Sequence, residues 1–186
     1  RLQVRQSCPP TPGQPEKEPF VIPLAMGLLD AKTGTELPVR ADLSREVLVA
    51  AGIGSQDKPT TKGSMFHEVL KVTEVQQEFI ITGISRQPLP SLLRSFSAPV
   101  KLEYDYSREQ LAFLLAHDSD GFNRWEAGQQ LAIQVFNEAL HQQQSGQAVQ
   151  FDSQLGEAFA KVLVDDQLDE ALKAEIISLP SLAYLL

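Results

Sequence analysis

The stretch closest to a chemical signature is His67-Glu68-Val69-Leu70-Lys71. A His-Glu-x-x-His segment on a helix places two imidazoles on one metal and offers the Glu as a base. Lys71 stands where the second His is needed, and an ammonium does not ligate zinc at neutral pH. The segment also reads as a strand, which would set positions i and i+4 about 13 Å apart at roughly 3.3 Å per residue. No metal site is expected there. Asp118-Ser119-Asp120-Gly121 has the look of a calcium loop. Placing Gly121 at the loop's required glycine puts Ala116 and Ala127 at the first and last ligand positions, with Glu126 one residue out of register. The turn is therefore read as a polar connection whose Asp caps the next helix.

The remaining candidates are weaker still. His117 and His141 have no Cys or His at ligand spacing and sit in last helical turns, where a cation suits the dipole. Cys8, beside Pro9-Pro10, has no positioned base and is read as a bystander thiol. In Arg124-Trp125-Glu126, Trp125 is expected to anchor the core, with Arg124 and Glu126 partly exposed or bridging between helices. There is no Gly-rich phosphate loop and no G-x-S-x-G. No residue is assigned a catalytic, cofactor-binding or metal-ligating role, because nothing assembles a nucleophile, a base and an oxyanion donor.

The elements that would position such residues change character at Tyr106-Ser107. Val100, Leu102, Tyr104 and Tyr106 alternate with charged residues, which predicts a one-sided strand. Leu111, Leu114 and Leu115 then follow helical spacing, and Ser107 with Gln110 predicts a capping box. Eleven of the 12 prolines precede Tyr106, and proline breaks helix interiors. The expected architecture is thus an immunoglobulin-like β-sandwich over residues 1–106, followed by an α-helical, solenoid-like segment over 107–186.

Predicted strands cover Leu2–Gln6, Phe20–Leu28, Glu36–Arg40 after a turn at Asp30–Gly34, and Val47–Val49. Gly52–Gly63 is expected to be a loop. Phe66–Val72 and Glu78–Ile84 are expected to pair with each other across Glu74-Val75-Gln76. Gln87–Pro90 is read as a kinked connector, and Leu92–Phe96 and Val100–Tyr106 as closing strands. The predicted helices end at His117, near Ser145-Gly146 and before Pro180, with starts at Ser107, after Asp118–Gly121, at Asp152 or Ser153, and at Asp169. Leu155, Phe159, Val162 and Leu163 are expected inward on the third helix, and Leu172, Ile176 and Leu179 on the fourth; a fifth helix is expected after Pro180.

Charge follows the same division. Residues 1–106 carry 12 Lys+Arg and 12 Asp+Glu; residues 107–186 carry 4 and 12, which is the entire net charge of −8. An acidic helical half repels nucleic acid, so no nucleic-acid partner is expected. No apolar run approaches the roughly 20 residues that span a bilayer, so no membrane partner is expected either. With one cysteine there is no intramolecular disulfide, which argues for a reducing compartment and a cytoplasmic location. The chain opens directly on an alternating strand and closes on Leu182, Ala183, Tyr184, Leu185 and Leu186. It is read as an excised fragment whose apolar end could self-associate.

SAPVKLEYDYS followed by QLAFLLAHDSDGFNRWEAGQQL closely resembles the bacterial M1 zinc aminopeptidase family. CPPTPGQPEKEPFVIPLAMGLLD, EFIITGISRQPLPSLLRSFSAPVKLEY and AFAKVLVDDQLDEALKAEIISLPS agree in the same order, so the resemblance covers nearly the whole chain. The stretch from Arg40 to Gly63 looks longer than the family's pattern, which suggests an insertion. The resemblance implies a parent that removes N-terminal amino acids from peptides. Its implied zinc site is His-Glu-x-x-His plus a distant Glu, with a Gly-x-Met-Glu-Asn motif and a Tyr for the tetrahedral intermediate. None of these matches a position here. They are expected in domains before Arg1, and the family's substrate-facing arginines beyond Leu186. The implied role is a non-catalytic spacer and the first helices of a bowl, with zinc and peptide substrates held by the parent and the parent's remaining domains as partners. The alternative is a free-standing protein-interaction module with the same two halves.

Overall fold

The computed structural model describes residues 1–38, 40–41, 68–150 and 152–181. The strand expected at Val47–Val49, the loop at Gly52–Gly63, His67 and the start of a fifth helix lie outside them. The chain forms two compact units, Arg1–Asp30 with Glu36–Val100, and Ala31–Thr35 with Lys101–Leu186.

The first unit is built on β2, Ile22–Asp30, which pairs antiparallel with β3 (Glu36–Leu37), β5 (Glu68–Val72) and β8 (Pro88–Leu92). Its run Leu24–Asp30 is buried on both faces, the pattern of a strand inside a sheet rather than at its edge. Separate two-stranded ladders join β1 (Leu2–Arg5) to β6 (Gln76–Phe79), and β4 (Arg40–Ala41) to β7 (Ile81–Thr82). Gly34 sits at φ 73° in the turn after β2, as the sequence predicts for a left-handed position.

Four strand expectations need correction. β5 and β6 do not pair with each other; they go to β2 and β1. The bend between them is held by a side chain, since Gln77 Oε1 accepts the Thr73 N–H at 2.9 Å and its Nε2 donates to the Lys71 carbonyl at 3.2 Å. The expected connector around Pro88-Leu89-Pro90 is instead strand β8. The two prolines lie two residues apart, so their missing N–H groups fall on one side of the strand and the ladder to β2 survives. Conversely, no strand forms over Val100–Tyr106. That backbone closes on itself locally, with the Tyr106 N–H donating to the Tyr104 carbonyl and the Val100 N–H to that of Ala98, both at 2.9 Å. Residues beyond Leu92 also leave the sheet, for a 3-10 turn at Arg94–Phe96.

The second unit carries α1 (Arg108–His117), α2 (Gly121–Gln144), α3 (Ser153–Leu163) and α4 (Glu170–Ile176). Each start has the cap its sequence predicts: Ser107 with the reciprocal Gln110 bond, then Asp120, Asp152 and Asp169. The core is Leu111, Leu114, Leu115, Ala127, Leu131, Leu155, Val162 and Ile176. A Cβ on Gly128 would stand 3.3 Å from Leu115 Cδ1 and 3.4 Å from the Ile176 carbonyl, so the bare backbone permits close packing. Leu163 and Leu179, expected inward, are each 54% exposed. Each lies beyond the stripe of its own helix, Leu163 at the last turn and Leu179 after α4 has ended.

Candidate functional site

The would-be zinc segment is strand where it is described. Glu68 and Lys71 lie on β5 opposite Met26 and Pro23, and burial raises the Glu68 carboxyl above its ordinary range. Leu70 and Val72 turn into the core. A strand separates these positions too far to share an ion, and these residues do not fit a zinc centre. Among the described residues, no three His, Cys, Asp or Glu side chains group to hold a metal ion.

The acidic turn before α2 is a cap. Asp120 Oδ1 accepts the Asn123 N–H at 2.9 Å, and Asp118 Oδ1 accepts the Asp120 N–H at 3.0 Å. Both carboxylates are buried and directed at backbone donors of their own turn. Cys8 is exposed. It borders a cleft of about 230 Å³ with Lys17 and Glu18. The Lys17 ammonium is bound to Thr11 Oγ1 at 2.7 Å and to Gln14 Oε1, and as a cation it is no base for the thiol. His141 lies in the last turn of α2 as expected. His117 ends α1 with its ring 4.7 Å from that of Phe113. Desolvation, then Lys161 and Arg124, hold the His117 imidazole below its ordinary range against the pull of Asp165.

The polar groups that matter most are arginines joining elements. Arg124 is 4% exposed and bridges between helices, one of the two roles expected of it, whereas Trp125, expected to anchor the core, is only half-buried. The guanidinium donates from Nε to the Leu115 carbonyl at 3.0 Å and from Nη2 to that of Ala116 at 3.2 Å. Nη1 meets Asp165 Oδ2 at 2.7 Å. One planar fork thus caps the C-terminus of α1 and ties it to the loop after α3. This hydrogen bond, with the Gln167 N–H, holds the Asp165 carboxyl below its ordinary range despite some burial. Arg108 links α1 to α2 and α3 through the Gln134 carbonyl at 3.1 Å, Glu138, and the capping Asp152 at 3.2 Å.

In the first unit Arg94 is fully buried, 0% exposed. Nε donates to Ser91 Oγ at 2.8 Å and Nη1 to Glu36 Oε1 at 2.6 Å. A Cβ on Gly27 would lie 2.1 Å from its Cζ, so the guanidinium occupies the notch a glycine leaves in β2. Sequence reasoning missed this cluster. Its one signal is Gly27 interrupting an apolar strand, a mark of close approach. The chemistry these arginines perform is fixation: each charge is met by partners on other elements.

Residues 1–105 match DUF3458, a domain of unknown function with an Ig-like fold, and residues 108–186 match DUF3458_C, described as ARM repeats. These bear out the expected order of an immunoglobulin-like domain and a solenoid-like helical one. The chain is 37% identical over 180 residues to aminopeptidase N of Escherichia coli strain K12, covering 97% of this chain. It is 36% identical over the same length to aminopeptidase N of Haemophilus influenzae. It spans 18% of the length of either relative. Among solved structures, Legionella pneumophila aminopeptidase A, crystallised in complex with aspartic acid, superposes with a TM-score of 0.63 at 31% identity. That match covers 88% of this chain and 16% of the other.

Proposed function

We propose that this chain, which belongs to the DUF3458 family, is a non-catalytic structural segment of a larger M1 zinc aminopeptidase. The observation that carries the reading is a collinear match over 97% of the chain that accounts for 18% of the relative. On this reading the parent removes N-terminal amino acids from peptides in the cytoplasm, and its remaining domains hold the zinc and meet the substrate. Those domains are this chain's partners. The arrangement of charge supports a supporting role, since Arg94, Arg108 and Arg124 each join separate elements. A group tied into such a network is held in place rather than free to move a proton.

The adjoining genomic reading frame tests the assignment. An uninterrupted frame with His-Glu-x-x-His and a more distant Glu upstream of Arg1 is the expected result. A start codon at Arg1 with a stop after Leu186 would overturn it in favour of a free-standing module.

A further inference from the structure

The turn that follows β8 is held against its own backbone preference. Leu93, Ser95 and Phe96 have φ of 59°, 53° and 50°, the left-handed region that a Cβ disfavours. No glycine or asparagine occurs among Leu93-Arg94-Ser95-Phe96 to favour it. Such conformations persist only where the surroundings over-determine them. The surroundings include the buried Arg94 and what it reaches: Ser91 on β8, Glu36 on β3 and the notch at Gly27 on β2. The turn is closed by the Phe96 N–H to the Leu93 carbonyl and the Ser97 N–H to the Arg94 carbonyl, both at 3.1 Å. Ser97 Oγ in turn accepts the Ala25 N–H at 3.0 Å. Phe96, the last residue of the turn, is 52% exposed.

We propose that Arg94 and Glu36 form a latch that holds Leu93, Ser95 and Phe96 in their left-handed conformations, and that releasing the latch lets the turn relax while β2 stays paired. The hold comes from a charge-assisted pair whose acidic member lies 58 residues away in sequence, on a strand of two residues. The turn's conformation is thereby coupled to the seating of β3. A change that unseats Glu36 is transmitted to the exposed Phe96.

Amide hydrogen exchange on the 186-residue chain tests this with Glu36→Gln and Ser95→Gly. Glu36→Gln keeps the shape and removes the charge. It is expected to speed exchange at Phe96 and Ser97 by about tenfold or more, leaving Leu28 and Leu29 of β2 protected. Ser95→Gly is expected to raise the urea midpoint, because glycine accepts φ 53° freely, and to shrink the effect of Glu36→Gln when combined with it. Unchanged exchange at Phe96 and Ser97, or equal acceleration across β2, would overturn the latch. If Glu36→Gln does not fold, Ser95→Gly decides alone: a higher midpoint supports stored strain, and an unchanged or lower one overturns it.

Discussion

Arg124 Nε donates to the main-chain carbonyl of Leu115, nine residues earlier, at 3.0 Å. Helix α1 therefore ends on a side chain of α2. The last carbonyls of a helix have no partner within it, and here one guanidinium serves two of them while pairing with Asp165.

Replacing Arg124 with Met should accordingly loosen the helical unit more than loss of a surface charge would. Two carbonyls and a partly exposed carboxylate lose their partner, at a cost of about 2–4 kcal/mol. Arg124→Lys should recover only part of it, since one ammonium cannot span the three acceptors. Urea unfolding followed by far-UV circular dichroism measures both. A midpoint unchanged in Arg124→Met would contradict the assignment.

Gly27→Ala should destabilise the first unit despite adding a single methyl group. That methyl has no room beside the Arg94 guanidinium, and overpacking alone costs about 1–3 kcal/mol. Displacing a buried charge from Glu36 adds to it. The double variant Gly27→Ala with Arg94→Ala should be less impaired than the sum of its parts, because removing the guanidinium frees the notch.

Acidification should weaken the helical unit in two stages. His117 is held below the ordinary imidazole value, chiefly by desolvation. The unfolded chain therefore takes up that proton first, and stability falls as pH drops through about 6.5 toward the lower folded value. Asp165 is held below the ordinary carboxyl value, chiefly by the Arg124 hydrogen bond. Its contribution is complete above about 3.9 and is lost as pH falls from there toward the folded value. His117→Gln should flatten the first stage and Asp165→Asn the second, in urea midpoints recorded against pH.

Ser107→Ala should cost about 1 kcal/mol. It removes the oxygen that accepts the Gln110 N–H at 3.2 Å, while the reciprocal bond from the Ser107 N–H to Gln110 Oε1 at 2.9 Å keeps half the box. Ser107→Thr should be close to neutral. Thermal unfolding of both variants measures the difference.

Local chemistry was readable where it is decided locally. The four helix caps follow from Ser or Asp before an apolar period, and the turn at Gly34 from a backbone position suited to glycine. Long-range pairing was not readable. Periodicity shows that Glu68–Val72 is a strand, but its partner is β2, over 40 residues away. Pro88 and Pro90 suggested a connector because local preference cannot foresee an established strand beside them. At Val100–Tyr106 the alternation reflects half-buried Leu102 and Tyr106 without a ladder. The partners of Arg94 and Arg124 were not readable for a related reason. Nothing in the sequence near Arg94 or Arg124 records that Glu36, Gly27 or Asp165 will meet it, and a long charged side chain is ordinarily a surface one. That Lys71 stands where His-Glu-x-x-His needs a second His is a matter of residue type alone.

On the proposed reading, the chain supports an aminopeptidase without performing its reaction. The most direct test measures bound zinc and hydrolysis of alanine and leucine chromogenic substrates on the purified 186-residue chain after incubation with zinc. The expected result is zinc far below stoichiometry and no hydrolysis above background. Stoichiometric zinc together with hydrolysis abolished by a chelator would contradict it.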